Sequence, residues 1–136
     1  MSNYNDRDLT FAAERAMHRA YAPYSKFKVG AALLCADGTV FTGCNIENAS
    51  FGLTVCAERA AIFSAISFGY TEFVKIAIVG GPDGKIESIC PPCGACRQVM
   101  TEFCSADFEI ILWDGKSLSP LQRYRLEDLL PLSFGL

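Results

Sequence analysis

From residue 28 to residue 113 the chain alternates β-rich apolar runs with helical ones, and no other feature constrains its fold as tightly. Residues 28–36 and 39–43 read as two strands joined at Asp37-Gly38, a pair that favours a tight hairpin turn. A polar loop over 44–55 leads into residues 56–67, a short and almost wholly apolar helix that ends before Gly69. Residues 73–79 are a third strand, closed by Gly80-Gly81-Pro82-Asp83-Gly84. Cys90-Pro91-Pro92 is forced to be extended, and Pro92 can seat the first turn of a helix over about residues 93–103. Residues 108–113 are a fourth strand, and a weaker fifth lies over 118–124 after the Asp114-Gly115 turn.

Two helical segments flank this core. Residues 6–20 carry Leu9, Ala12, Ala13, Ala16, Met17 and Ala20 at helical spacing behind an Asp6 cap, and Pro23 stops the run. A last turn over 126–130 precedes an apolar tail. Helices between apolar strands favour right-handed crossovers onto one mixed sheet. The two inner helices then begin side by side at one sheet edge.

A chain of 136 residues with 51% apolar composition supports one core, so residues 1–136 are expected to form a single domain. Twelve basic against fifteen acidic residues leave a charge of −3 with no basic cluster, which argues against a nucleic-acid polymer as partner. No apolar run reaches the ~18 residues of a membrane span, and the polar, acidic start (Met-Ser-Asn-Tyr-Asn-Asp) does not resemble a signal peptide. A cytoplasmic location is therefore expected. Seven cysteines in that setting act as ligands, nucleophiles or core residues sooner than as disulfides. A mean hydropathy of +0.22 suggests apolar surface buried between subunits.

Cys56 opens one inner helix; Cys93 and Cys96 open the other. Three thiols can thus converge at two helix N-termini, whose positive dipole ends favour thiolate over thiol. Three thiolates with one open position describe a catalytic zinc site, whereas a structural site normally closes with a fourth ligand. Cys90 is a candidate for that fourth ligand, although Pro91-Pro92 separates it from the helix. Glu58 stands on the same first turn as Cys56. A carboxylate there can reach a water on the metal without itself binding the metal, and can shuttle its proton. Three thiolates leave zinc with a formal charge of −1, and Arg59 is placed to withdraw some of it by bonding a thiolate.

At these residues the chain resembles the small zinc-dependent cytidine deaminases with three cysteine ligands. The matching blocks run along nearly the whole chain. They include residues 20–27 (AYAPYSKF), 29–33 (VGAAL), 43–49 (GCNIENA), 56–59 (CAER), 92–99 (PCGACRQV) and 129–131 (LLP). Zinc deaminases share a Pro-Cys-x-x-Cys signature and a glutamate that is not a ligand. The resemblance implies an α/β fold, a three-layer α/β/α arrangement with a mixed five-stranded sheet. It implies that cytidine or 2′-deoxycytidine and water give the uridine nucleoside and ammonia, as in pyrimidine salvage. Cys56, Cys93 and Cys96 would hold one Zn²⁺ per subunit and Glu58 would handle protons.

By the same resemblance the Ala57 N–H would donate to the pyrimidine O2, Phe27 would lie against the base, and Asn45 and Glu47 would grip the sugar. On its own residues that loop reads only as a polar turn. Phe134 would reach a neighbouring subunit's site in a homotetramer. Phe51 stands where many relatives carry Tyr, so it keeps packing area and loses a hydroxyl. Cys35, Cys44, Cys90 and Cys104 have no implied role, and His18 is expected to face solvent.

Three other readings have distinct signatures. A structural or redox zinc module would use Cys90, Cys93 and Cys96 and have no use for Glu58. A nucleic-acid deaminase would carry a basic stripe. A deaminase of a cytosine-containing nucleoside antibiotic is the nearest in chemistry, but Asn45-Ile46-Glu47-Asn48 follows the nucleoside-binding pattern.

Overall fold

The computed structural model describes residues 4–136; residues 1–3, part of the polar start discussed above, lie outside the described residues. In chain order the elements are α1 (Asp6–Met17), β1 (Phe27–Cys35), β2 (Val40–Cys44), a 3₁₀ turn (Phe51–Leu53), α2 (Ala57–Ser67), β3 (Phe73–Pro82), α3 (Gly94–Phe103), β4 (Glu109–Leu112), β5 (Gln122–Arg125) and α4 (Leu126–Leu129). The five strands form one sheet in the order β2-β1-β3-β4-β5. Only β3 and β4 pair in parallel, so the sheet is mixed.

Both faces of the sheet are covered, which is why β1, β3 and β4 read as unbroken apolar runs instead of alternating ones. On one face Ala32, Leu34, Ala77, Val79 and Ile111 pack against Leu9, Ala13 and Met17 of α1. On the other, Ala31, Leu33, Ile76, Ile78, Ile110 and Leu112 meet Ala61 and Ile62 of α2, Cys96 and Met100 of α3, and Leu126 of α4. The result is the expected α/β/α layering. Two glycines set the helix-to-sheet distance. A Cβ at Gly30 would stand 2.0 Å from the Ala13 carbonyl oxygen, and one at Gly43 would stand 2.5 Å from that of Ala57.

Three sequence expectations need correction. The cap of α1 is Asn5, not Asp6: Asn5 Oδ1 accepts from the Asp8 N–H at 2.8 Å, while Asp6 pairs with Lys75 and Arg123. The helix ends at Met17 instead of continuing to residue 20, because the N–H groups of Arg19 and Ala20 bond back three residues to Ala16 and Met17. The fifth strand is only Gln122–Arg125; Leu118 and Leu121, which read as its start, pack into the core on the α1 face.

Because β2 and β3 are each antiparallel to β1, they run in the same direction. The helices that follow them, α2 and α3, therefore start at the same end of the sheet. That topology sets up the site.

Candidate active site

Cys56 is the N-cap of α2 and Cys93 the N-cap of α3. Pro92 thus stands before the cap, two positions ahead of the first helical residue, Gly94. Cys96 is buried on the first turn of α3. The Sγ atoms of Cys56 and Cys93 lie 3.8 Å apart, those of Cys93 and Cys96 3.5 Å apart, and all three within 4.8 Å of one another. Tetrahedral zinc with Zn–S bonds near 2.3 Å places its sulfurs about 3.8 Å apart, so the thiols are already spaced for one ion. Cys90 is half-buried and is not in that cluster; burial first, and nearby negative charge second, push its thiol up to about 12.

The surroundings favour negative charge on Cys56. Hydrogen bonding from Cys96 first, then from Arg59 and Cys93, brings the Cys56 thiol down to about 5 against the opposing effect of burial. The same sharing of a proton pushes Cys96 upward. Arg59 Nη2 donates to Cys56 Sγ at 3.4 Å, and its Nε is a buried donor without a partner among the described residues. A guanidinium with an unmet N–H beside Cys56 and Cys96 suits a charge-rich thiolate centre. The donor set, its spacing and this orphan donor all fit zinc.

Glu58 follows on the first turn of α2 with only 4% of its surface exposed. Burial first, and the charge of Cys56 second, raise its carboxyl to about 7, with a hydrogen bond from Cys96 opposing the rise. A carboxyl near that value both accepts and donates a proton at neutral pH. Ala57, the first residue of the helix, is also buried, and its N–H has no intrahelical acceptor.

The residues expected to touch substrate lie on the segments beside this cluster. Phe27 opens β1; its ring edge and Cys90 Sγ would each lie 3.1 Å from a Cβ at Gly80, so ring and sulfur sit together over that glycine. Asn45 is buried, and its amide clasps the backbone of β1: Oδ1 accepts from Val29 N–H and Nδ2 donates to the Phe27 carbonyl, both at 2.8 Å. Glu47 accepts from the N–H groups of Tyr24 (3.0 Å) and Ser25 (3.1 Å) and bonds the Ser25 hydroxyl. That hydroxyl in turn accepts from Phe27 N–H at 3.0 Å. The Ser25 bond is the main reason the Glu47 carboxyl lies below its ordinary range. Asn45 and Glu47 therefore brace the backbone on either side of Phe27.

Phe51 is 73% exposed and meets Tyr24 edge to face at 6.0 Å. Together with Ser25, Glu47 and Thr54 these rings line a cavity of about 350 Å³. Phe134 is 69% exposed, and its carbonyl accepts from Gln98 Nε2 at 3.1 Å. His18 is exposed, as expected. Sequence reasoning did not single out Tyr24, Ser25 and Thr54 as cavity residues. A short polar stretch after Pro23 was the available signal, and it reads equally well as a plain turn.

Three clustered thiols, one short of the four that close a structural zinc site, stand beside a buried carboxyl on an α/β/α scaffold. That combination defines a zinc-dependent hydrolytic centre. The family model for the cytidine and deoxycytidylate deaminase zinc-binding region matches residues 3–111, and the chain belongs to that family. It is 50% identical to the cytidine deaminase of Halalkalibacterium halodurans, over 90% of this chain and 88% of that one. The structure of cytidine deaminase from Burkholderia pseudomallei superposes with a TM-score of 0.87 at 47% identity, covering 96% of this chain and 100% of the other. A blasticidin-S deaminase of Bacillus cereus is 34% identical over 81% of this chain and 79% of its own length.

Proposed function

We infer that this chain is a zinc-dependent enzyme that hydrolyses cytidine, and by the same chemistry 2′-deoxycytidine, to the uridine nucleoside and ammonia. The observation that carries the reading is the buried Glu58 on the same helix start as Cys56, which clusters with Cys93 and Cys96. Cys56, Cys93 and Cys96 would hold the zinc, one ion per subunit. When bound, zinc supplies the Lewis acidity that makes a water nucleophilic near neutral pH.

The chain's own residues do the rest. Glu58 takes a proton from the attacking water and delivers it to ring N3 as C4 becomes tetrahedral. It then carries the second proton to the amino group, so that ammonia leaves as the C4 carbonyl forms. Arg59 holds charge off Cys56 through its hydrogen bond. The Ala57 N–H orients the base at O2. Phe27 and Phe51 supply ring area, and Asn45 and Glu47 meet the sugar while bracing the backbone at residues 24–29. Among the described residues no helix is long and apolar enough to cross a membrane, which suits cytoplasmic pyrimidine-nucleoside salvage.

Rates on cytidine and on blasticidin S, measured on the same zinc-loaded sample, test the substrate assignment. Cytidine is expected to be turned over far faster. The reverse order would move the chain to the antibiotic deaminases.

A homotetramer completes this reading, with Phe134 of one subunit entering a neighbour's site. The exposure of Phe134, of Leu132 and of Leu136 at the tail supports it, since each large apolar side chain left in water costs roughly 1.5–3 kcal/mol. A ring contact is worth roughly 0.5–1.5 kcal/mol, so Phe134→Ala should raise KM about two- to tenfold and leave the zinc content unchanged. Removing residues from Pro131 onward should raise KM and loosen the oligomer together. Kinetics and sedimentation on both variants check this; an unchanged assembly with an unchanged KM would make the tail a passive end.

A further inference from the structure

The start of α3 carries two of the three clustered thiols, Cys93 at its N-cap and Cys96 on its first turn, and the residues that follow on the same helix reach elsewhere. Arg97 folds its guanidinium back over the helix start. Nε donates to the Pro92 carbonyl at 2.7 Å and Nη1 to the Leu129 carbonyl at 2.8 Å. Both partners are carbonyls, so the group is placed as a fork of donors and not as half of an ion pair.

Each bond has a consequence. The Pro92 carbonyl belongs to the peptide unit that enters Cys93, whose φ of −68° and ψ of 166° aim its side chain at the other thiols. Holding that carbonyl holds the plane from which Cys93 departs. Leu129 closes α4, a helix of only four residues. Its final carbonyls have no intrahelical donors, and a single turn is not stable alone. Arg97 satisfies one of those carbonyls. The adjacent Gln98 then binds the Phe134 carbonyl at 3.1 Å. Neighbouring side chains of one helix therefore grip the approach to a thiol and two points of the C-terminal segment.

We propose that Arg97 is a positioning residue that ties the metal-ligating turn of α3 to the C-terminal segment, so that the zinc site and the segment bearing Phe134 hold each other in place. The proposal rests on the reading of Cys93 and Cys96 as zinc ligands. Lysine is not equivalent here, because its donors radiate from one point, while the planar guanidinium reaches two carbonyls on different elements.

The test uses zinc-loaded wild-type protein, Arg97→Met, Arg97→Lys and Gln98→Ala. Three quantities are measured: the rate of zinc release to a chromophoric chelator, KM and kcat on cytidine, and the thermal midpoint. Loss of a group that orients a metal ligand typically weakens metal binding by about ten- to a hundredfold. Arg97→Met should release zinc faster by about that factor and should also raise KM. Arg97→Lys should recover part of the zinc retention. Gln98→Ala, which touches only the tail, should raise KM without changing zinc release.

A purely structural role would lower the thermal midpoint of Arg97→Met and leave zinc release and KM at wild-type values well below that midpoint; this result would overturn the proposal. If Arg97→Met does not fold, wild-type zinc release in Arg97→Lys together with an unchanged KM in Gln98→Ala would overturn it equally. Wild-type protein that retains zinc but leaves cytidine untouched would refute the activity alone, and the zinc-release arm would still decide the role of Arg97.

Discussion

Glu58→Gln is expected to keep its zinc and to lose at least 100- to 10,000-fold in turnover, the range that a positioned proton-transfer group supplies. The loss should fall at the upper end of that range, because in the proposed mechanism the same carboxyl serves the attack, the protonation of N3 and the departure of ammonia. Glutamine preserves the shape of the side chain and removes the proton acceptor. It also relieves a buried acid whose carboxyl sits near 7 because of that burial, so the variant should fold at least as well as the wild type. Zinc content by atomic absorption, thermal melting and cytidine turnover check the three parts of this expectation. Near-normal turnover with zinc in place would remove Glu58 from the chemistry.

The second large effect separates ligand thiols from bystanders. Cys56→Ala, Cys93→Ala and Cys96→Ala should each fall from about one zinc per chain to almost none and lose activity with it, since two protein ligands seldom retain zinc. Cys90→Ala should keep both. Its sulfur lies against Gly80 and Phe27, outside the cluster, and burial holds it protonated. Metal analysis of the four variants decides the point. An empty site in Cys90→Ala with a filled one in Cys56→Ala would indicate a closed structural centre and a different fourth ligand.

The parts of this molecule that could be read from sequence are those set by local chemistry. Lys28 to Cys35 is legible as a buried strand because both faces of the sheet are covered and no polar alternation interrupts it. Cys56, Cys93 and Cys96 are legible because a helix N-terminus favours thiolate and because Pro92 marks where the second helix begins. The errors have non-local causes. Asn5 and Asp6 are equally competent caps; the choice falls to Asn5 because Lys75, 69 residues away, and Arg123 engage Asp6. Leu118 and Leu121 have strand-like composition but fill a gap on the α1 face. The grip of Arg97 on Leu129 spans 32 residues, and no pattern around Arg97 announces it.

Asn45 and Glu47 show the same boundary within the site. Their i, i+2 spacing predicts side chains on one side of an extended segment. It does not show that Asn45 would clasp the backbone at Phe27 and Val29 or that Glu47 would bind Tyr24 and Ser25. Those bonds depend on how the segment after α1 returns to the sheet, where Tyr21 and Ile46 form a parallel bridge.

The central claim is that zinc held by Cys56, Cys93 and Cys96 enables this chain to hydrolyse cytidine. It is tested most directly by following cytidine absorbance and ammonia release with purified protein before zinc removal, after chelation and after zinc is returned. The account predicts one ammonia for each uridine formed, loss of the reaction on chelation and its recovery with zinc. Unchanged cytidine in the presence of a fully zinc-loaded protein would contradict it.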